Sequence, residues 1–160
     1  MAGTLVGCDS WFKNPTSNVS AHYSLPKYDT EPPHQYVREE MAAYHAGIRY
    51  RPTWPQLPPP MVNANWVTLG LECEGYTGEP WTDYQVGLTV WFLRKFWRDW
   101  DIEPVINETV VRHSGINALH GGCPGPGCPL EEITQQARSL GPLRPEDGFG
   151  LTANLGSPIL

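Results

Sequence analysis

Trp66-Val67-Thr68-Leu69-Gly70-Leu71-Glu72-Cys73, and after a Gly- and Pro-containing turn the run from Thr82 to Trp100, together decide the fold. The first segment is apolar or β-branched almost throughout, which predicts a strand buried on both faces. The second opens with Thr82 and, three places on, Gln85, the spacing of a capping box, with Asp83 putting negative charge in the first turn. Val86, Val90, Leu93, Trp97 and Trp100 then recur at intervals of three and four, and Leu88, Trp91 and Phe96 widen the stripe. This predicts an amphipathic helix, ending near Trp100, that packs across a sheet.

Working outward, Val19 to Leu25 and Gln35 to Val37 read as short strands flanking the turn Pro26-Lys27-Tyr28-Asp29. The five prolines between Arg51 and Pro60 impose an irregular surface loop. Val105 to Arg112 reads as a further strand ending at His113, and Leu130 to Arg138 as a short helix. From Ser139 onward Gly, Pro and small residues dominate without periodicity, which predicts a loose tail over residues 139–160 behind one domain over 1–138. Strands interleaved with one strong helix indicate an α/β or α+β domain.

Composition narrows the function. With 160 residues, 40% of them hydrophobic and 18% charged, the chain has room for one core and is too apolar to be disordered. A formal charge of −6 with no Lys/Arg cluster excludes a nucleic-acid-binding face. No run approaches the ~18 apolar residues of a membrane span, so no membrane partner is expected. Met1 to Cys8 has neither the basic nor the apolar region of a secretory signal, which sets a cytoplasmic expectation. On that expectation Cys8, Cys73, Cys123 and Cys128 are thiols or metal ligands, not a disulfide framework.

His113 at a strand end, followed by a Gly-rich loop and Cys123-Pro124-Gly125-Pro126-Gly127-Cys128, brings an imidazole and a thiol to one rim of the sheet. Both suit zinc. On that spacing alone a hydrogen-bonded rim histidine and an inert thiol in a Pro-Gly loop are the commoner outcome and metal ligation the rarer one, which leaves both readings open.

The order of motifs adds to this. Asn14-Pro15-Thr16-Ser17-Asn18-Val19-Ser20-Ala21-His22-Tyr23 is followed by Gln35-Tyr36-Val37-Arg38-Glu39-Glu40 and Ala43-Tyr44-His45-Ala46-Gly47. Next come Asn65 with Thr68-Leu69-Gly70-Leu71-Glu72-Cys73-Glu74-Gly75, then Arg112-His113-Ser114-Gly115-Ile116, then Cys123-Pro124-Gly125-Pro126. In that order they resemble the zinc-dependent N-acetylmuramoyl-L-alanine amidases, a family that includes the peptidoglycan-recognition proteins. The resemblance covers roughly residues 2 to 138. It implies an α/β fold with a mixed central β-sheet flanked by helices, and a monomer that cleaves the amide between N-acetylmuramic acid and L-alanine in peptidoglycan or a muropeptide.

By the same resemblance, His113 matches the second zinc histidine, Cys123 the third ligand and Glu72 the general base. Tyr44, His45 and Asn65 fall where the family lines its substrate groove or braces a strand. Gly121 stands where active members often carry an oxyanion-stabilising Lys or Thr, a task that falls to His120 if to any neighbour. Met1-Ala2-Gly3-Thr4 aligns with a segment that in the family follows the first zinc histidine. The expectation is therefore either an enzyme whose first ligand lies outside this sequence or a zinc-less muropeptide-binding module. The resemblance leaves open whether this is a phage lysis enzyme (an endolysin) or a bacterial enzyme.

Overall fold

Thr82 starts the central helix by accepting the Gln85 N–H at its hydroxyl, while the Gln85 side chain accepts the Thr82 N–H in return. The foreseen capping box is thus present, and α2 runs Asp83–Trp100, ending where Asp101 takes a left-handed conformation. The capping residues also reach outward: the Thr82 hydroxyl donates to the Lys27 carbonyl and the Gln85 amide to the Glu74 carbonyl. The computed structural model describes residues 3–57, 59 and 62–148.

The other elements are α1 (Leu5–Lys13), β1 (Tyr23–Leu25), β2 (His34–Gln35), β3 (Leu71–Cys73), α3 (His113–Ile116) and α4 (Leu130–Leu140). The sheet is mixed, in the order β2-β1-β3: β1 pairs antiparallel with β2 and parallel with β3, with Ser24 opposite His34 on one side and Glu72 on the other. A mixed sheet with flanking helices is the expected architecture.

α2 buries two faces. Leu88, Phe92 and Phe96 pack on Tyr23 and Leu25 of the sheet, with the Tyr23 and Phe92 rings 4.6 Å apart. Val90, flanked by Val86 and Leu93, packs on Ile133 and Ala137 of α4. Burying each such side chain contributes about 1.5–3 kcal/mol. The expected stripe is therefore broader than one face, and Trp100, assigned to it from spacing, is exposed.

Three expectations are corrected. The run 66–73 is a strand only over its last three residues. Asn63 caps a 3-10 turn at Ala64–Trp66, and the Thr68 hydroxyl bonds back to the Ala64 carbonyl, so the chain curls before it extends. β3 is also half-buried rather than buried on both faces, because it is an edge strand beside a cavity. The 105–112 segment is no strand: Asn107 adopts φ 59°, and the Val105 carbonyl accepts the N–H groups of Glu108, Thr109 and Val110 in a tight turn. His113 consequently opens a helix instead of ending a strand.

The helix α1 was not foreseen at all. Thr4 caps it, and Glu74 secures it by accepting the Leu5 N–H with one carboxylate oxygen and the Lys27 N–H with the other. Only Leu5 and Cys8 of this helix are buried, so it carries little periodic signal. The third correction is the tail. α4 continues to Leu140, and residues 141–148 pack back on α2: Arg94 donates to the Gly141 carbonyl and pairs with Asp147, Leu143 is buried, and the Trp91 indole donates to the Gly148 carbonyl. Residues 149–160 of the expected tail lie outside the described residues, as do Pro58 and Pro60 of the proline loop.

Glu39 ties this frame together. Its carboxylate, 8% exposed, pairs with Lys95 and accepts the Tyr23 hydroxyl and the Trp100 indole N–H, each at 2.6 Å. Burial pushes its pKa up, but these three donors outweigh burial and hold it below the usual carboxylate range. Its contribution is therefore full above the ordinary carboxylate pKa and is lost as pH falls through the lower native value. Glu39→Gln is expected to cost about 2 kcal/mol near neutrality and to flatten the acid side of the stability curve. Urea midpoints across pH check both.

Candidate active site and metal centre

A cavity of about 630 Å³ opens between β3 and the segment that runs from Pro104 to His113, with the inner face of α2 behind it. Glu72, His113 and Cys123 all line it, and so do His45 and Asn65.

Glu72 is the middle residue of β3. Leu71 and Cys73 turn toward the α2 core, so alternation along the strand sends Glu72 to the opposite face. Its charge acts on both His113 and Cys123: it partly opposes the lowering of the His113 pKa by burial and adds to the rise of the Cys123 pKa by burial.

His113 is fixed by its Nε2, 3.1 Å from the Ala46 carbonyl. A carbonyl only accepts, so Nε2 carries the proton and Nδ1 keeps its lone pair. A ring anchored this way through one nitrogen is the usual setting of a metal-binding histidine. Burial, then the adjacent His120, lowers its pKa, which keeps the imidazole neutral as a ligand must be. The His120 ring stacks on it at 4.1 Å and 14°.

Cys123 donates its N–H to the His120 carbonyl at 2.8 Å and accepts the Ser114 N–H at 3.4 Å. Burial pushes its thiol upward, so it stays protonated until something displaces the proton. Its loop rests against residues 77–80. A Cβ on Gly127 would lie 2.1 Å from the Glu79 carbonyl oxygen, so only glycine admits that contact.

His45 and Asn65 line the cavity but are committed inward. The Asn65 side-chain oxygen accepts the N–H of His45 at 3.0 Å and of Ala46 at 2.7 Å, which fixes the chain immediately before the carbonyl that holds His113. His45 Nδ1 meets the Ala43 carbonyl and Nε2 the Thr68 hydroxyl, both at 2.9 Å. Tyr44 is exposed and is not among the cavity walls, and His120 is exposed beside His113. His22 is a packed strand-end residue: Nδ1 accepts the Gly70 N–H and Nε2 faces the Met41 carbonyl.

Two positions escaped sequence reasoning. Ala46 acts through its carbonyl, which no side-chain pattern signals. Asn117, buried at the end of α3, accepts the Leu119 N–H and so shapes the turn that carries His120; its position just after Arg112-His113-Ser114-Gly115-Ile116 was the available clue. All four cysteines are free thiols. Among the described residues no three His, Cys, Asp or Glu side chains are gathered closely enough to hold a metal ion.

Residues 1–126 match the N-acetylmuramoyl-L-alanine amidase family, Amidase_2. Over 75 residues, 47% of this chain, the sequence is 37% identical to N-acetylmuramoyl-L-alanine amidase A of Achromobacter lyticus, and the match spans 33% of that protein. A solved structure of the E. coli N-acetylmuramyl-L-alanine amidase AmiD, in complex with the substrate anhydro-N-acetylmuramic acid-L-Ala-D-gamma-Glu-L-Lys, is similar with a TM-score of 0.63. That likeness covers 82% of this chain and 51% of the other at 24% identity, and shows a shared fold.

Two outcomes test this description. Burial, then His22, holds His45 at about 4, below the 6.5 of a free imidazole. Across that window the unfolded chain takes up a proton that the folded chain refuses, so stability is full above the window and falls within it. His45→Gln is expected to show less loss between about pH 7 and about pH 4.5 in urea titrations. A Cβ on Gly70 would lie 2.4 Å from the His45 ring, so Gly70→Ala is expected to cost about 2 kcal/mol or more by thermal melting.

Proposed function

The chain belongs to the N-acetylmuramoyl-L-alanine amidase family, and on that premise we propose that it hydrolyses the amide joining the lactyl group of N-acetylmuramic acid to L-alanine in peptidoglycan or its fragments. The observation that carries this reading is the convergence of Glu72, His113 and Cys123 on one cavity.

His113 and Cys123 fit a zinc ion in kind: one imidazole with a free Nδ1 and an anchored Nε2, and one thiol able to lose its proton. A catalytic zinc takes three protein ligands, so a third donor must enter the same cavity from beyond the gathered set. When bound, zinc supplies Lewis-acid polarisation of the scissile carbonyl and acidifies water.

The chain's own residues do the rest. Glu72 accepts a proton from the attacking water as the new C–O bond forms at the carbonyl carbon, and returns it to the leaving amine as the C–N bond breaks. The products are the lactyl carboxylic acid and the free amino group of the stem peptide. Asn65 holds the Ala46 peptide, and through it the His113 ring, so that the site need not reorganise during reaction. The Trp54 and Leu57 side chains pack on the Ala46, Ala64 and Ile116 cluster behind it and limit water there.

Release of stem peptide from purified sacculi is the test. Glu72→Gln is expected to lower kcat by about 10²–10⁴ with little change in KM. His113→Ala and Cys123→Ser are expected to abolish both activity and protein-bound zinc by elemental analysis. Persistence of full activity in Glu72→Gln would remove the base assignment.

A second reading is favoured by one observation, the lack of a three-ligand cluster among the described residues. On it the same cavity binds muropeptides without cutting them. Calorimetric binding of a muropeptide in the presence of a chelator, with no peptide release on adding zinc, would establish this alternative over the first.

A further inference from the structure

We propose that His120 is a positioning residue that locks His113 and Cys123 into one fixed arrangement; this rests on reading those two as the zinc-binding pair. Its ring lies against the His113 ring at 4.1 Å, with the planes only 14° apart. The Ala46 carbonyl fixes the His113 ring in its own plane through Nε2. A parallel ring pressed on its face blocks rotation out of that plane, so the two contacts together leave the imidazole one orientation.

The same residue reaches the other ligand by its backbone. The His120 carbonyl accepts the Cys123 N–H at 2.8 Å, and the Cys123 carbonyl accepts the N–H of Ser114, the residue after His113, at 3.4 Å. A closed circuit results: His113 to His120 by stacking, His120 to Cys123 by one backbone bond, and Cys123 back to Ser114 by another. The circuit is rooted in the fold. The His120 N–H donates to the Asn117 carbonyl at 3.0 Å, the Asn117 side chain accepts the Leu119 N–H at 3.0 Å, and the Ala118 N–H donates to the Tyr50 carbonyl at 2.9 Å. Gly121 and Gly122 follow, so the next two positions offer no side chain to replace the stacked ring. What the arrangement requires at 120 is a flat ring, not a proton donor.

The test compares His120→Ala with His120→Phe in the metal-free chain. Long-range proton–nitrogen NMR of the His113 ring reads its tautomer. We expect the parent and His120→Phe to show a single Nε2–H form and His120→Ala to show averaged nitrogen shifts. Zinc titration should show affinity weakened about 10-fold or more in His120→Ala and restored in His120→Phe. Because the His120 side chain is exposed, neither variant should fail to fold, and circular dichroism melting checks this. An unchanged single tautomer in His120→Ala overturns the proposal, as does a Phe variant that behaves like the Ala one. Zinc bound equally by the parent and by His113→Ala would instead overturn the metal reading of the site, with the tautomer measurement still deciding on the brace.

Discussion

Helix α2 must bury two faces, and the rest of the molecule is arranged around that need. Leu88, Phe92 and Phe96 require a sheet on one side; Val90 and its neighbours require α4 on the other. A three-stranded sheet this short has little stability of its own. It persists because α2 covers it, and α2 persists because α4 and residues 141–148 cover its second face. Arg94 sits between them with its head buried, which is tolerable because Asp147 and the Gly141 carbonyl satisfy it.

Around this regular centre, the functional part of the molecule is built on irregular backbone. Its order comes from side chains that bond to main chain: Asn63 and Asn65 before β3, Glu74 after it, and Asn117 below the His120 turn. Asparagine and glutamate are suited to this, since one side-chain oxygen can serve two N–H groups that no strand or helix partner serves. The result is a cavity wall that is rigid without being regular. His113, Cys123 and Glu72 can therefore hold position on three separate stretches of chain.

How much of this was legible depended on how local the cause was. The α2 capping box could be read to the residue because Thr82 and Gln85 decide it between themselves. β3 came out shorter than its apolar run because Asn63 and Thr68 offered the backbone competing bonds, a choice settled only when Ala64 is placed. The 105–112 segment misled for a similar reason: β-branched residues suggested extension, while Asn107 supplied a left-handed turn. α1 was invisible because it buries too few residues to be periodic. At the site, motif order singled out His113, Cys123 and Glu72, and the structure has all three on the walls of one cavity. The partners of Asn65 were out of reach because they are backbone N–H groups of the remote residues His45 and Ala46, and the stacking of His120 on His113 because it depends on how the turn between them folds.

The parallel pairing of Tyr23 with Leu71 and Leu25 with Cys73 also has a kinetic side. A parallel neighbour joined by so long a stretch carries a large loop-closure cost before any contact offsets it. The α2–α4 pair is joined by a shorter connection, residues 101–129 against residues 26–70, so its closure costs somewhat less. Loop closure therefore favours the helix pair over the β1–β3 seam, by well under about 1 kcal/mol. Glu72 sits on that seam. The carboxylate on which hydrolysis would depend thus stands on an edge strand held by a single neighbour, and the Glu72 backbone amide should exchange with solvent faster than those in the middle of α2.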